Sequence, residues 1–463
     1  MGRINFFILV VGAAVALIGY RLGQLTVVKH ADYVKAAQAQ QQSQSAVTIA
    51  GRGTIYFADG HSVAAANGPG GSRLYPLNTL AAQTLGFVGY NNNGRAGQYG
   101  IEGYYDVELT SGHDLVLTID KNIQEMAEAK LAAVLKKWNS PSGAIIIEDP
   151  QSGAILALAA SPSFDPNHYR DYGLKHFTNP AVQAVYEPGS SFKPITMSAA
   201  VDSGAVTPDS GYEDSGAVQS GGYTIKNFDE QAHGWQTMRQ VLEHSLNTGA
   251  IFAEQKTGDD NFLNYVVGFG FGQKSGVDLP GEVGGNIANL YTGYKTNFLT
   301  AAFGQGVAVT PIQLVNAYAT IANGGKLLQP RLVKRVIAKD GRVTDSRTKI
   351  IGQPVKDGTA RQLQTMLVDV VDKGFDKARI TGYDVAGKTG TAQIPAPGGG
   401  YLEHDQFIHN FVGFAPAYDP RFVALIKMDR PKGIKFAADS LSPVFGDIAR
   451  YLIRYFNIPP SRK

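Results

Sequence analysis

The chain opens on an apolar run. Ile4 to Tyr20 (INFFILVVGAAVALIGY) holds one polar residue, Asn5, and no charge. With Leu22 and Leu25 beyond Arg21, it approaches the roughly 20 residues that cross a bilayer. A cleaved leader has a shorter apolar core followed by a small-residue cleavage site. Here Gly19-Tyr20-Arg21-Leu22 follows instead. The expectation is one retained transmembrane anchor over residues 4–22, with residues 1–3 as a cytoplasmic stub. Arg3 precedes the span and Arg21, Lys29 and Lys35 follow it, so the positive-inside rule does not select an orientation. A three-residue head holds no domain, and everything functional is placed on the far side of the span.

The pattern then changes three times. Lys29 to Ser45 is polar and helix-prone, a stalk. Arg52-Gly-Thr-Ile-Tyr-Phe-Ala-Asp-Gly60 reads as a short strand closed by an Asp-Gly turn. Gly and Asn are dense through residues 67–100, so a small loop-rich module is expected before residue 115. Beyond it, Leu115–Ile119 is strand-like. Asp120 can cap a helix that carries Ile123, Ala127, Leu131, Val134 and Trp138 on one face. Ala144–Ile147 and Ala154–Leu158 flank the turn Asp149-Pro-Gln-Ser-Gly153, which predicts a hairpin. Thr310-Pro-Ile-Gln313 is a capping box with proline at the first helical position, and its helix should stop at Asn323-Gly324. Phe411–Phe414 and Arg421–Ile426 predict a second hairpin. Leu441, Phe445, Ile448, Leu452 and Phe456 predict a last amphipathic helix. Helix, hairpin, a long helical middle, hairpin and helix give an α+β domain, an antiparallel sheet flanked by helices.

Composition narrows the chemistry. With 463 residues, 44% hydrophobic and 17% charged, the chain is long enough for a large core. Its 42 basic and 39 acidic residues give a net charge of +3, without the basic excess that nucleic-acid binding needs. There is no cysteine, hence no disulfide, thiolate zinc site or catalytic thiol. The histidines are too scattered for a metal triad, and no metal or cofactor is expected. Gly268-Phe-Gly-Phe-Gly-Gln-Lys-Ser275 lacks the Gly-Lys-Ser ending of a phosphate loop and reads as turn glycines.

The candidate chemistry lies in Glu187-Pro-Gly-Ser-Ser-Phe-Lys-Pro194. A serine hydroxyl is a weak nucleophile until a base takes its proton. In a helix, residues i and i+3 share a face, so Ser190 stands beside Lys193 and Ser191 does not. Ser-x-x-Lys alone is weak; about two matches are expected by chance in a chain this long. The second match, Ser346-Arg-Thr-Lys349, sits in a solvated polar run. Two further elements strengthen the first. Ser245-Leu-Asn247 is the one Ser-x-Asn of the chain. Lys-Thr-Gly occurs twice: Lys256-Thr-Gly258 reads as a helix end with its glycine cap, whereas Lys388-Thr-Gly390 lies in the alternating, strand-like Lys388–Ile394. A strand beside a cleft could present Lys388, Thr389 and Thr391 to a carboxylate, with Gly390 allowing close backbone approach.

Ser-x-x-Lys, Ser-x-Asn and Lys-Thr-Gly, in that order, are the signature of penicillin-binding proteins and class A β-lactamases. The chain resembles class B penicillin-binding proteins, the monofunctional peptidoglycan D,D-transpeptidases of division or sporulation type. Arg52-Gly-Thr-Ile55, Gly100-Ile-Glu-Gly103, Arg239–His244, Asp278-Leu-Pro-Gly281, Phe303-Gly-Gln-Gly306 and Phe411–Pro416 extend the likeness over most of residues 50–430. The resemblance implies the transpeptidase fold over residues 116–463, above a stalk and short pedestal module over 23–115. It implies Ser190 as nucleophile, Lys193 as base and Ser245 as proton relay. Asn247 would hold the substrate amide, and Lys388, Thr389 and Thr391 the terminal carboxylate. The N–H groups of Ser190 and Thr391 would form the oxyanion hole. Peptidoglycan stem peptides would be the substrates and β-lactams covalent inhibitors. A SEDS-type membrane glycosyltransferase and the division or elongation machinery would be the partners. The setting would be the cytoplasmic membrane, with the catalytic domain extracytoplasmic. The region between anchor and catalytic domain is shorter than is usual in the family, and it has no room for a glycosyltransferase domain. A D,D-carboxypeptidase or β-lactamase-like hydrolase, and a non-catalytic divisome scaffold, are the alternatives.

Overall fold

The computed structural model describes residues 2–24, 29, 51–91, 94–374, 376–396, 398–402 and 406–462. Apart from Lys29, the expected stalk lies outside them. Helix α1 (Gly2–Gly23) covers the opening apolar run. The side chains of its first half lie outside the described residues as well. Among the described residues no helix is long and apolar enough to cross a membrane.

The small module is built on short strands β1 (Ile55–Tyr56), β2 (Val63–Asn67) and β3 (Arg73–Leu74). The turn between β1 and β2 is closed by Asp59, whose carboxylate accepts from the N–H groups of His61 and Ser62. Strand β4 (Asp114–Leu117) pairs parallel with β1 and leads into helix α2 (Lys121–Lys137). Asp120 caps α2, accepting from the N–H groups of Asn122 and Ile123. The hairpin follows as β5 (Ser142–Asp149) and β6 (Ala154–Ser161).

The helical middle contains α3 (Lys193–Asp202), α4 (Met238–Glu243), α5 (Asn247–Thr257) and α6 (Pro311–Ala322). The Thr310–Gln313 capping box forms as read from sequence. Strands β7 (Val333–Ile337) and β8 (Val343–Asp345) then return to the small module. Its sheet has the order β8-β7-β4-β1-β2-β3. It therefore runs across the boundary expected at residue 115, because β4 has backbone partners on both sides, β1 and β7.

The chain closes with β9 (Ala386–Gln393), β10 (Phe407–Ala415), β11 (Phe422–Asp429) and helix α7 (Ser442–Tyr455). These strands and the first hairpin form one antiparallel sheet, ordered β9-β10-β11-β5-β6. Side chains alternate across it. Ile145, Ile147, Ala424 and Ile426 pack with α2 and α7 on one face; Ile146, Leu158, Val412 and Leu425 join the core of the helical middle on the other. Both faces are covered, which is why these strands read as continuous apolar runs. Helix α6 is buried on every side, the condition of a helix inside a core. It packs on the sheet and reaches the turn before α3.

One carboxyl group in this interior has no partner among the described residues. Glu148 on β5 is fully buried, and neither carboxylate oxygen has a hydrogen-bond partner among the described residues. Burial, with Asp149 next to it, pushes its pKa up to about 8. The folded state therefore holds a proton that the unfolded state releases near its ordinary value of about 4.3. Stability falls as pH rises between the two, and the cost is complete above the folded value. Glu148→Gln should be more stable than wild type by about 2–4 kcal/mol at pH 9, with the gap closing toward pH 4.5. Denaturant melts at the two pH values check this. A gap that does not change with pH would mean Glu148 is not held protonated.

Candidate active site

Pro188 and Gly189 turn the chain into Gly189–Phe192, a 3₁₀ turn that continues as α3 from Lys193. Residues i and i+3 eclipse in a 3₁₀ helix, so Ser190 and Lys193 align more directly than on an α-helix. Pro194 lies in the first turn of α3, where its missing N–H costs nothing. The two serines part company here. Ser191 is fully buried; its Oγ donates to the Pro188 carbonyl at 2.8 Å, and its own carbonyl accepts from Tyr318 Oη at 2.8 Å. Ser190 is partly exposed and faces a cleft.

The turn is clamped from two sides. Gly189 has φ +60°, and its N–H donates to the Gly304 carbonyl at 3.1 Å. On the other side the Pro188 carbonyl accepts from Asn410 Nδ2 at 3.0 Å. A Cβ at position 390 would collide with the Pro188 carbonyl and the Asn410 amide. The glycine is therefore needed for close approach of strand β9 to the turn that carries Ser190, whereas the sequence alone assigns that approach to substrate. Strand β9 is the edge of its sheet, so alternate backbone groups point away from the ladder.

Ser245 joins α4 to α5 with φ +58°. A non-glycine residue held in the left-handed region costs of order 1–3 kcal/mol and clusters at functional sites. Two lysines converge on it. Lys193 Nζ donates to the Ser245 carbonyl and lies 3.3 Å from its Oγ. Lys388 Nζ lies 3.0 Å from the same Oγ. Both lysines are 0% exposed. Burial holds Lys193 well below the usual lysine range; the Lys388 charge lowers it further, and Asp229 opposes this weakly. Burial alone brings Lys388 down to about 7. A buried amine with a depressed pKa gives up its proton more readily than an ordinary lysine and can act as a base.

The remaining residues read from the motifs also gather here. Asn247 opens α5; its N–H and that of Thr248 donate to Asn227 Oδ1 at 2.9 and 3.2 Å, and its Nδ2 donates to the Lys226 carbonyl at 2.9 Å. Thr389 and Thr391 line a cavity of about 390 Å³ with Ser190 and Ser245. The Thr391 Oγ1 accepts from the Ala437 N–H at 3.0 Å. A second groove of about 830 Å³ shares Ser190 and Thr391 and carries Asn247 and Tyr401. Glu187 braces its rim, accepting from the Gly306 N–H at 2.9 Å and from Tyr401 Oη at 3.1 Å. The decoy motifs lie elsewhere. Gly258 caps α5 at φ +82°, and residues 346–349 pass along the surface beyond β8.

Sequence reasoning missed Asn227, Asn410, Asp229 and His233. Only Asn410 left a signal, a polar residue in the middle of a buried strand. The others belong to a loop with no motif.

Residues 143–450 match the family described as penicillin binding protein transpeptidase domain. Stage V sporulation protein D of Bacillus subtilis is 33% identical over 425 residues, 84% of this chain and 65% of the relative. The apo crystal structure of penicillin binding protein 3 from Mycobacterium tuberculosis superimposes with a TM-score of 0.82 at 31% identity, covering 89% of this chain and 97% of that one. The same protein complexed with ampicillin gives 0.81, covering 89% and 96%. The chain belongs to the penicillin-binding protein transpeptidase family and, within it, to the class B penicillin-binding proteins. It spans 65% of the length of the sporulation relative.

Proposed function

We propose that this chain is a peptidoglycan D,D-transpeptidase that works through an acyl-enzyme on Ser190. The observation that carries the proposal is the convergence of two buried lysines on Ser245 Oγ, beside an accessible Ser190 at the start of a helix. Lys193 takes the Ser190 proton as Oγ attacks the penultimate D-Ala carbonyl. The oxyanion meets N–H groups of Ser190 and Thr391, the first in an opening helical turn and the second on an edge strand. Ser245 passes the proton to the departing amine, and D-Ala leaves. Lys388, Thr389 and Thr391 hold its carboxylate. Gly390 supports them by letting the strand approach. Asn247 offers its amide oxygen to a substrate N–H, since its Nδ2 is engaged by Lys226. An acceptor amine then resolves the ester and forms the cross-link.

Relatives support the ligand class: the tuberculosis protein is known complexed with aztreonam and with ampicillin. The anchor reading rests on the apolar sequence of residues 4–20 and on the 22 helical residues of α1, about 33 Å long at 1.5 Å per residue. It places the transpeptidase domain of residues 116–463 and its pedestal outside the cytoplasmic membrane. There a SEDS-type glycosyltransferase would supply nascent strands.

The test is labelling with a fluorescent penicillin, followed by a chase. Label that persists for many minutes supports the acyl-enzyme transpeptidase. Rapid release would replace it with a hydrolase, and folded protein that takes no label would replace it with a scaffold.

A further inference from the structure

The cavity in front of Ser190 carries charges that the acylation machinery does not use. Glu243 and Lys373 are already paired: Lys373 Nζ lies 3.2 Å from Glu243, and 3.0 Å from Asp369 outside the cavity lining. Asp229 and His233 form a second pair, His233 Nε2 to Asp229 Oδ2 at 2.9 Å, with side chains 51% and 28% exposed. Both line the cavity with Ser190, Ser245 and Thr389. The pair stands on a rigid frame. Asn227, 2% exposed, donates to Asp214 Oδ2 at 2.8 Å and to the Gln231 carbonyl at 3.1 Å. The His233 N–H donates to the same Asp214 oxygen at 3.2 Å. Asn227 Oδ1 also caps the first turn of α5, which begins two residues after Ser245. The loop bearing Asp229 and His233 is thus fastened to the element that carries the proton relay. The His244 ring stacks on His233 at 6.2 Å and 6°.

The proton count of the second half-reaction asks for such a pair. An amine acceptor arrives as an ammonium and ends as an amide N–H, so its nitrogen gives up two protons. Ser190 Oγ takes back one as it leaves. The other needs a base outside Ser190, Lys193 and Ser245. The incoming amine must also occupy the place of the leaving amine. With the leaving carboxylate assigned to Thr389 and Thr391, which line this cavity, the acceptor enters through the same opening.

We propose that Asp229 and His233 form the acceptor site: Asp229 draws in the acceptor ammonium, and His233 takes its first proton. The inference rests on the transpeptidase reading. His233 accepts a proton from R–NH₃⁺, with the Asp229 carboxylate 2.9 Å from its ring. The amine nitrogen attacks the ester carbonyl carbon, the C–N bond forms and the C–Oγ bond of Ser190 breaks. The second proton passes through Ser245 and Lys193 to Ser190 Oγ, and His233 returns its proton to water. The charged and titratable groups facing the pair are Glu243 and Lys373, the His244 ring, and Lys193 from the nucleophile side.

Two acceptors separate this from a general loss of activity. D-Alanine is an ammonium at neutral pH and needs deprotonation; hydroxylamine is uncharged and does not. The full chain is acylated with a thioester donor, and the amide and hydroxamate products are measured by mass spectrometry for wild type, Asp229→Asn and His233→Gln. The ratio of transfer to D-alanine over transfer to hydroxylamine is expected to fall at least fivefold in both variants. A smaller change in either, whether the two products hold steady or decline together, overturns the acceptor assignment while leaving the transpeptidase reading intact. A wild type that forms no acyl-enzyme overturns both.

Discussion

Ser190→Ala is expected to abolish covalent labelling by a fluorescent penicillin, with the acylation rate constant falling by on the order of 10⁶-fold, whereas Ser191→Ala should keep labelling within about tenfold of wild type. The two hydroxyls are neighbours in sequence but not in environment. Ser190 opens on the cleft beside Thr389, Thr391 and Ser245. The Ser191 hydroxyl is spent on the Pro188 carbonyl inside the core. Removing it should cost about 1 kcal/mol of stability, the net worth of one hydrogen bond. It also loosens the turn slightly, which accounts for the tolerance allowed on its rate. Comparable labelling of the two variants would refute the assignment of the nucleophile. Thermal melts of both proteins keep a folding defect apart from a chemical one.

Lys193→Met should slow acylation by about 10³–10⁴-fold, the usual contribution of a positioned base. Methionine fills the buried stem of the lysine without its amine. The pH profile separates loss of a base from loss of packing. In wild type, acylation is absent while Lys193 is protonated and rises as pH passes its depressed pKa. Its neutral form is the one that burial and the Lys388 charge favour. On the alkaline side, Lys388 loses its proton near pH 7, and with it the charge proposed to hold a substrate carboxylate. The rate constant against free enzyme should therefore be bell-shaped, with its falling limb near neutrality, and the two lysines titrate as a coupled pair. Lys193→Met should lose the acid limb and keep the alkaline one. A variant that retains the acid limb at reduced height would place the base elsewhere.

Much of this candidate site is legible in the sequence. The order of the three motifs, the choice of the strand-borne Lys388-Thr-Gly390 over the helix-end Lys256-Thr-Gly258, and the preference for Ser190 all rest on local rules. Periodicity, capping chemistry and the i, i+3 relation are set by residues a few positions apart. The two hairpins, the capping box at Thr310 and the helix capped by Asp120 formed where those rules placed them.

Tertiary structure decided the rest. Gly390 is small because Pro188, two hundred residues away in sequence, brings its carbonyl against the strand. Lys193 and Lys388 have low pKa values because folding buries both beside Ser245, with the Lys388 charge lowering Lys193 further, and neither effect can be read from the spacing of motifs. The small sheet recruits β7 and β8 from residues 333–345, since backbone pairing recognises no sequence pattern beyond alternation. Asp229 and His233 reach the cleft on a loop without a motif, placed by the buried Asp214–Asn227 frame. The proposed catalytic groups and the elements that bear them are readable in the sequence, because the elements depend on local backbone preference. Only the fold decided their charge states and their unannounced neighbours, because desolvation and Coulomb interaction depend on distance through space.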